Sequence, residues 1–356
     1  MVGHAALKPH PPDTAATMHD YRAPRWLPGG NLQTIWAALA SRRHGAVAPA
    51  YQRERWDTPD GDFIDVDVAV PPPNRPSATP FKASLATPPG WLVLFHGLEG
   101  TSRSHYALAF ADEAARRGLA FAVPHFRGCS GELNRAPRAY HSGDFEEIGW
   151  ILQRLRARAG APLWAVGVSL GGNALLRWAQ EAGQSAAWTV RGIAAVSAPL
   201  DLTACGIAIG QGFNRQVYTR MFLRTMKPKA LRKLAQHPGL FDRERLLAAQ
   251  TLHDFDDTFT APLHGFAGVQ DYWRRASAKP HLHRIRVPAI VLNATNDPFV
   301  PGRSLPDAAQ LGEAPVRLWQ PPHGGHVGFP AGRFPGHVLD LPRAILDGLG
   351  IAARTG

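Results

Sequence analysis

In the stretch FIDVDVAV, apolar and acidic residues alternate. Ile64, Val66, Val68 and Val70 share one face and Asp65 and Asp67 the other, which predicts a half-buried strand after a turn at Asp60-Gly61. Later apolar runs do not alternate. WLVLF (91–95), LAFAVP (119–124), LWAVG (163–167), VRGIAAVSAP (190–199), VPAIVLNA (287–294) and VRLWQ (316–320) are short and nearly continuous. That is the pattern of central parallel strands, which are covered on both faces. Between them the period becomes helical. Helices are expected from about Ser104 to Arg117, along Phe145, Ile148, Ile151, Leu152 and Leu155, through NALLRWAQEA (173–182), and from roughly His337 to Gly348.

Strands alternating with helices make an α/β fold, with a mostly parallel central sheet flanked by helices. Residues 200–280 break the rhythm: helical patches, aromatic and basic residues, and no clear strand. They are read as a helical cap inserted into one domain spanning 21–356. Residues 1–20 are read as a flexible extension. Residues 71–90 hold seven prolines and are read as a long surface loop.

Composition narrows the setting. The 356 residues carry 39 Lys and Arg against 28 Asp and Glu, a net charge of +11. No aromatic–basic module for nucleic acid is present, so no nucleic-acid partner is expected. The basic residues thicken between Arg215 and Arg245, and a weak contact with an anionic membrane surface is the partner they suggest. No apolar run reaches the roughly 18 residues of a membrane helix, and no secretory leader is evident. With the two cysteines read as free thiols, a cytoplasmic setting is expected.

The chemistry starts at Gly167-Val168-Ser169-Leu170-Gly171. A strand runs into this G-x-S-x-G and a helix runs out, the context of a nucleophile elbow. The turn holds the Ser169 hydroxyl at the C-terminal edge of the sheet, and a side chain at Gly167 or Gly171 would collide with neighbouring backbone. Attack by serine builds charge on the substrate oxygen, which needs fixed donors. The backbone N–H of Leu170 and that of Leu98, in the loop after WLVLF-His96-Gly97, are the candidates. The acid and the base should follow the serine in that order. Asp297, in the loop after VPAIVLNA, is the first candidate acid, and Asp201 is a rival. His326, beyond VRLWQ, is the candidate base. Gly324 and Gly325 let the chain turn back towards Ser169, whereas His323 lies before that turn.

These residues sit within a longer set of motifs: PRWLPGGNLQT, LFHGLEG, HFRGCSGELNR, YHSGD, GVSLGGN, NDPFVP and HGGHVGF. Together they resemble the YheT-like branch of the α/β-hydrolases, which includes bacterial esterases and eukaryotic abhydrolase-domain lipases and ester synthases. The resemblance runs from Pro24 to Phe329. It implies a serine esterase or lipase with Ser169, Asp297 and His326 as the charge-relay residues, and it matches His326 rather than His323 to the family's GGHVGF. It does not fix the ester.

The expected function is therefore a carboxylic-ester hydrolase working through an acyl-enzyme, on short- to medium-chain acyl esters or lipid esters. Phe213, Tyr218, Met221, Phe222, Phe255, Phe259, Tyr272 and Trp273 are the candidate pocket residues of the cap. An acyltransferase or thioesterase would use the same acyl-enzyme. His237 to Asp242 fits an H-x-x-x-x-D acyltransferase pattern, but a chain this rich in His and Asp produces such a match by chance. A non-catalytic hydrolase-fold binding protein is the remaining alternative. No cofactor and no metal are expected, and the oligomeric state is left open.

Overall fold

The computed structural model describes residues 18–41, 49–69 and 88–352. Most of the expected N-terminal extension and of the proline-rich loop lie outside the described residues. Eight strands form one sheet: β1 (Tyr51–Asp57), β2 (Phe63–Ala69), β3 (Trp91–Phe95), β4 (Ala120–Pro124), β5 (Leu163–Val168), β6 (Gly192–Val196), β7 (Ala289–Leu292) and β8 (Val316–Trp319). Their order is β1-β2-β4-β3-β5-β6-β7-β8. β2 runs antiparallel to both neighbours, and all pairs from β4 to β8 are parallel.

The continuous apolar runs of β3 to β7 are almost wholly buried, as expected of strands covered on both faces, whereas VRLWQ forms the edge strand β8, where Arg317 is exposed. On one face of the sheet Val93, Ala165, Ile193 and Val291 pack with Ile148, Leu152 and Leu175 of α3 (Phe145–Ala159) and α4 (Leu170–Ala182). On the other, Leu92, Leu94, Val166 and Ile290 pack with Phe110 of α2 (His105–Arg116) and Ile345 of the last helix, Asp340–Gly348.

Two expectations change. β2 is not half-buried, because Asp65 and Asp67 are buried as well. β1 supplies the reason: Arg55 Nε donates to Asp65 Oδ1 at 2.8 Å and Arg53 Nε to Asp67 Oδ1 at 2.7 Å. Paired carboxylates tolerate burial that lone ones do not. β1 itself, YQRERWD, was not expected as a strand.

The C-terminal ends of β3, β5, β7 and β8 share one edge of the sheet. Between β6 and β7 no strand occurs among the described residues, and the chain forms helices that include Leu202–Ile209, Arg220–Gln236 and Val269–Ala276.

Candidate active site

Ser169 stands between β5 and α4 with φ +52° and ψ −120°. A left-handed backbone at a non-glycine residue is strained. The strain is held in place by close packing. Ser169 N donates to Val196 O at 2.8 Å. A Cβ on Gly167 would lie 2.4 Å from Gly171 O, and one on Gly171 would lie 2.5 Å from both Phe95 O and His96 O. Both glycines therefore let α4 start directly against β3 and β5. The first amides of a helix have no partner within it, so Leu170 N–H, at the start of α4, is a free donor in kind.

Leu98 follows His96-Gly97 at the end of β3 and lines the same cavity as Ser169, Leu170 and His326. The loop is tied at several points. Gly97 N donates to Tyr106 Oη at 2.9 Å, and Gly97 O accepts from Gly100 N at 2.9 Å. His96 is fully buried. Phe126 N donates to its Nε2 at 3.1 Å, and its Nδ1 lies 2.8 Å from Gly97 O. A neutral imidazole with its proton on Nδ1 satisfies both contacts. Burial, with His125 nearby, pushes the His96 pKa down to about 3, which keeps it neutral.

The acid and base loops meet at Ser169. His326 Nε2 lies 3.0 Å from Ser169 Oγ, and His326 Nδ1 lies 2.9 Å from Asp297 Oδ2. Asp297 Oδ1 accepts from the backbone of Phe299 at 2.7 Å and of Val300 at 3.2 Å. The Phe299 ring packs on His326 with centroids 4.2 Å apart. With Asp297 Oδ1 held by the two backbone amides, Oδ2 accepts a hydrogen bond from Nδ1–H, which leaves the Nε2 lone pair facing the hydroxyl. This arrangement can move a proton off the serine.

The other candidates fall elsewhere. Asp201, the rival acid, caps the helix Leu202–Ile209 by accepting from Ala204 N at 3.0 Å. His323 makes neither contact, and its Nδ1 is buried with no polar partner among the described residues. His237 lies 2.7 Å from Arg135 O, while Asp242 caps Arg243–Ala248. The two ends of H-x-x-x-x-D serve separate structural contacts.

The cavity beside Ser169 is lined by Phe222, Phe255, Phe259, Tyr272 and Trp273, five of the eight pocket candidates. Three differ. Phe213 and Met221 are about half exposed, at 52% and 53%, and do not line the cavity. Tyr218 is buried behind it, with its ring 4.6 Å from that of Phe299 and its hydroxyl donating to Asn31 Oδ1 at 2.9 Å. Phe213, Met221 and Phe222 all lie on one helical run, Gly212–Gln236, with a π-helical turn at Arg215–Thr219: Phe213 and Met221 are on its exposed side and Phe222 on its cavity side. The wall also holds Asp256, which accepts from Thr260 Oγ1 at 2.7 Å and Trp273 Nε1 at 2.9 Å. Burial raises its pKa to about 6. Among the described residues no group of three or more His, Cys, Asp or Glu could hold a metal ion.

A model described as the alpha/beta hydrolase fold matches residues 90–332. This chain belongs to the α/β-hydrolase family. Within it the chain sits on the YheT-like branch. It is 40% identical over 305 residues to the YheT protein of Escherichia coli (strain K12), covering 85% of this chain and 84% of that one. It is 29% identical to the phospholipase ABHD3 of Mus musculus, over 82% of this chain and 70% of the relative. Among solved structures, the Pyrococcus furiosus esterase Pf2001 matches with a TM-score of 0.52 at 13% identity, over 86% of this chain and 94% of that one. That likeness is one of fold. This α/β-hydrolase is an enzyme of the esterase and lipase type. No helix among its described residues is long and apolar enough to cross a membrane.

Several residues that shape the α/β-hydrolase site were not singled out from sequence. Gln33 and Thr34 of α1 (Gly30–Leu39) hold the histidine loop: Gly324 N donates to Gln33 Oε1 at 2.9 Å and His326 N to Thr34 Oγ1 at 2.8 Å. Asn296 joins them, its Nδ2 donating to Gln33 Oε1 at 3.0 Å and its Oδ1 accepting from Gly325 N at 3.0 Å. Ser197 Oγ accepts from Val327 N at 3.0 Å. The only signal was indirect, since Gln33 and Thr34 fall within the PRWLPGGNLQT motif. Among the described residues, the non-glycine residues with positive φ are Glu99, Ser169, Ser197, Val327 and Phe329. Each belongs to, or adjoins, one of the loops converging on Ser169, where strain tends to be stored.

Proposed function

We propose that this α/β-hydrolase is a serine carboxylic-ester hydrolase in which Ser169 is the nucleophile, His326 the base and Asp297 the residue that orients the imidazole. The observation that carries the proposal is the line of two contacts, Ser169 Oγ to His326 Nε2 at 3.0 Å and His326 Nδ1 to Asp297 Oδ2 at 2.9 Å. Serine is a weak nucleophile without an adjacent base. As its oxygen bonds to the acyl carbon, the proton passes to His326 Nε2, and Asp297 stabilises the imidazolium. The N–H groups of Leu98 and Leu170 receive the developing oxyanion. His326 then gives its proton to the leaving alcohol. Water then gives a proton to His326 as its oxygen bonds to the acyl carbon, the Ser169 Oγ–acyl bond breaks, and His326 returns the proton to Oγ, freeing the acid and Ser169.

The substrates we propose are short- to medium-chain acyl esters or lipid esters. The helices between β6 and β7 act as a cap, and its Phe222, Phe255, Phe259 and Trp273 give the cavity an apolar wall suited to an acyl chain. The names of two relatives, phospholipase ABHD3 and the monoacylglycerol lipase of Saccharomyces cerevisiae, support lipid esters as the class. Two free, buried cysteines are in keeping with a cytoplasmic setting.

The test is covalent labelling with a fluorophosphonate, followed by peptide mapping and an acyl-length series of p-nitrophenyl esters. The label should fall on Ser169. Labelling of another serine, with turnover retained in Ser169→Ala, would overturn the proposal.

A further inference from the structure

The helical run from Gly212 to Gln236 forms part of the cavity wall and also faces solvent. Phe222 and Met226 line the cavity. Phe213, Val217 and Met221 are exposed, at 52%, 36% and 53%. They recur every fourth residue along this run, across its π-helical turn at Arg215–Thr219, and all three are exposed to solvent. Single exposed apolar residues are ordinary on soluble proteins, but a contiguous row bordered by one sign of charge marks an interaction surface.

The border is basic. Arg220, Arg224 and Arg232 are exposed, and none of them is ion-paired among the described residues. From Leu202 to Phe241 the sequence has no Asp or Glu. Elsewhere on the molecule arginines meet carboxylates, as Arg53 meets Asp67 and Arg127 meets Glu147. The row also leads to the reacting groups. The Phe213 ring contacts Tyr218, Tyr218 contacts Phe299, and Phe299 packs on His326.

We propose that this face, with Phe213, Val217 and Met221 as its apolar row and Arg220 and Arg224 at its border, docks on an anionic lipid surface. An amphipathic helix with apolar residues on one side and arginines beside them lies in the headgroup region, the apolar side chains entering the acyl boundary and the cations meeting lipid phosphates. Docking in this way sets the Phe222 and Met226 wall, and so the cavity, against the membrane that holds a lipid ester. The inference deepens the lipid-ester reading and rests on it, but its test does not depend on turnover.

The experiment is vesicle co-sedimentation of the full chain, using phosphatidylcholine vesicles with and without about one-third phosphatidylglycerol, at low and high salt. Three proteins are compared: the unaltered chain, Arg220→Glu/Arg224→Glu, and Val217→Ser/Met221→Ser. The unaltered chain should bind the anionic vesicles and release them at high salt. Each arginine near an anionic surface contributes about fivefold in partitioning, so the charge reversal should lower binding by about 25-fold or more. The serine variant should also lose binding to anionic vesicles. Both variants should keep turnover of a soluble p-nitrophenyl ester, which separates loss of docking from loss of the active site. Binding by the unaltered chain that ignores lipid charge and salt would overturn the proposal. So would light scattering that shows a dimer dissociated by Val217→Ser/Met221→Ser, because a second copy would then cover the row.

Discussion

The side-chain oxygen of Gln33 accepts a hydrogen bond from the backbone N–H of Gly324 at 2.9 Å, joining positions 291 residues apart. The same oxygen accepts from Asn296 Nδ2 at 3.0 Å. One buried amide in α1 thus ties together the loop that carries Asp297 and the loop that carries His326. Gln33 touches no reacting atom, so its place is that of a positioning residue.

Removing that amide should loosen both loops together. Gln33→Leu leaves the Gly324 N–H buried without a partner, which costs about 1–3 kcal/mol of stability. Misplacing the imidazole by a fraction of an ångström should lower kcat by about 10- to 100-fold, with KM little changed. Thermal melts and steady-state kinetics on a soluble ester measure both. A variant with full kcat would show that α1 does not hold the site.

Gly171 should tolerate no side chain. A Cβ there would sit 2.5 Å from the backbone oxygens of Phe95, the last residue of β3, and of His96 just after it, which cannot turn aside as a flexible side chain can. Gly171→Ala should destabilise the fold by about 3 kcal/mol or more or abolish soluble expression, as read by denaturant unfolding. Gly61→Ala is the comparison. Its added Cβ meets nothing within 4 Å, although φ is +75°, so only backbone strain of about 1–2 kcal/mol should appear.

How much of this was legible in the sequence depended on distance along the chain. Ser169 stood out because its strand, elbow and helix are contiguous. Asp297 and His326 followed from their order after it. The parallel strands were visible because burial on both faces leaves continuous apolar runs. β1 was hidden because YQRERWD is polar, and its arginines make sense only beside Asp65 and Asp67 of a strand that follows it. Gln33, Thr34 and Ser197 were hidden for the same reason, since their partners lie far away in sequence. Phe213 and Met221 were grouped with the pocket because composition counts aromatic and sulfur side chains without telling which face of a helix they occupy.

Asp256 should leave a mark on stability against pH. Burial raises its folded pKa from the ordinary 3.8 to about 6. Between those values the folded protein holds a proton that the unfolded chain has released, so this group's contribution to stability falls as pH rises from about 4 to about 6. Asp256→Asn, which stays neutral, should therefore gain in Tm relative to the unaltered protein across that window. Paired thermal melts at several pH values measure the difference. A difference that does not change with pH would contradict the protonation of a buried Asp256.

The apolar cavity wall should appear as a chain-length preference. Each methylene buried there is worth about 0.8 kcal/mol at most, or roughly fourfold in kcat/KM. Activity on p-nitrophenyl esters should rise from acetate to butyrate and beyond until the cavity is filled. Phe259→Ala should shift the optimum towards longer chains. A strict acetate preference would contradict the acyl-chain assignment.

The most direct test of the account is the turnover of Ser169→Ala, His326→Ala, the double variant and His323→Ala on one soluble ester. If Ser169 and His326 act as a unit, each single variant should lose about 10⁴-fold or more in kcat, and the double variant should be little worse than either. His323→Ala, which touches neither partner, should keep most of its turnover. An active His326→Ala beside an inactive His323→Ala, or losses that simply multiply in the double variant, would contradict the proton relay through His326.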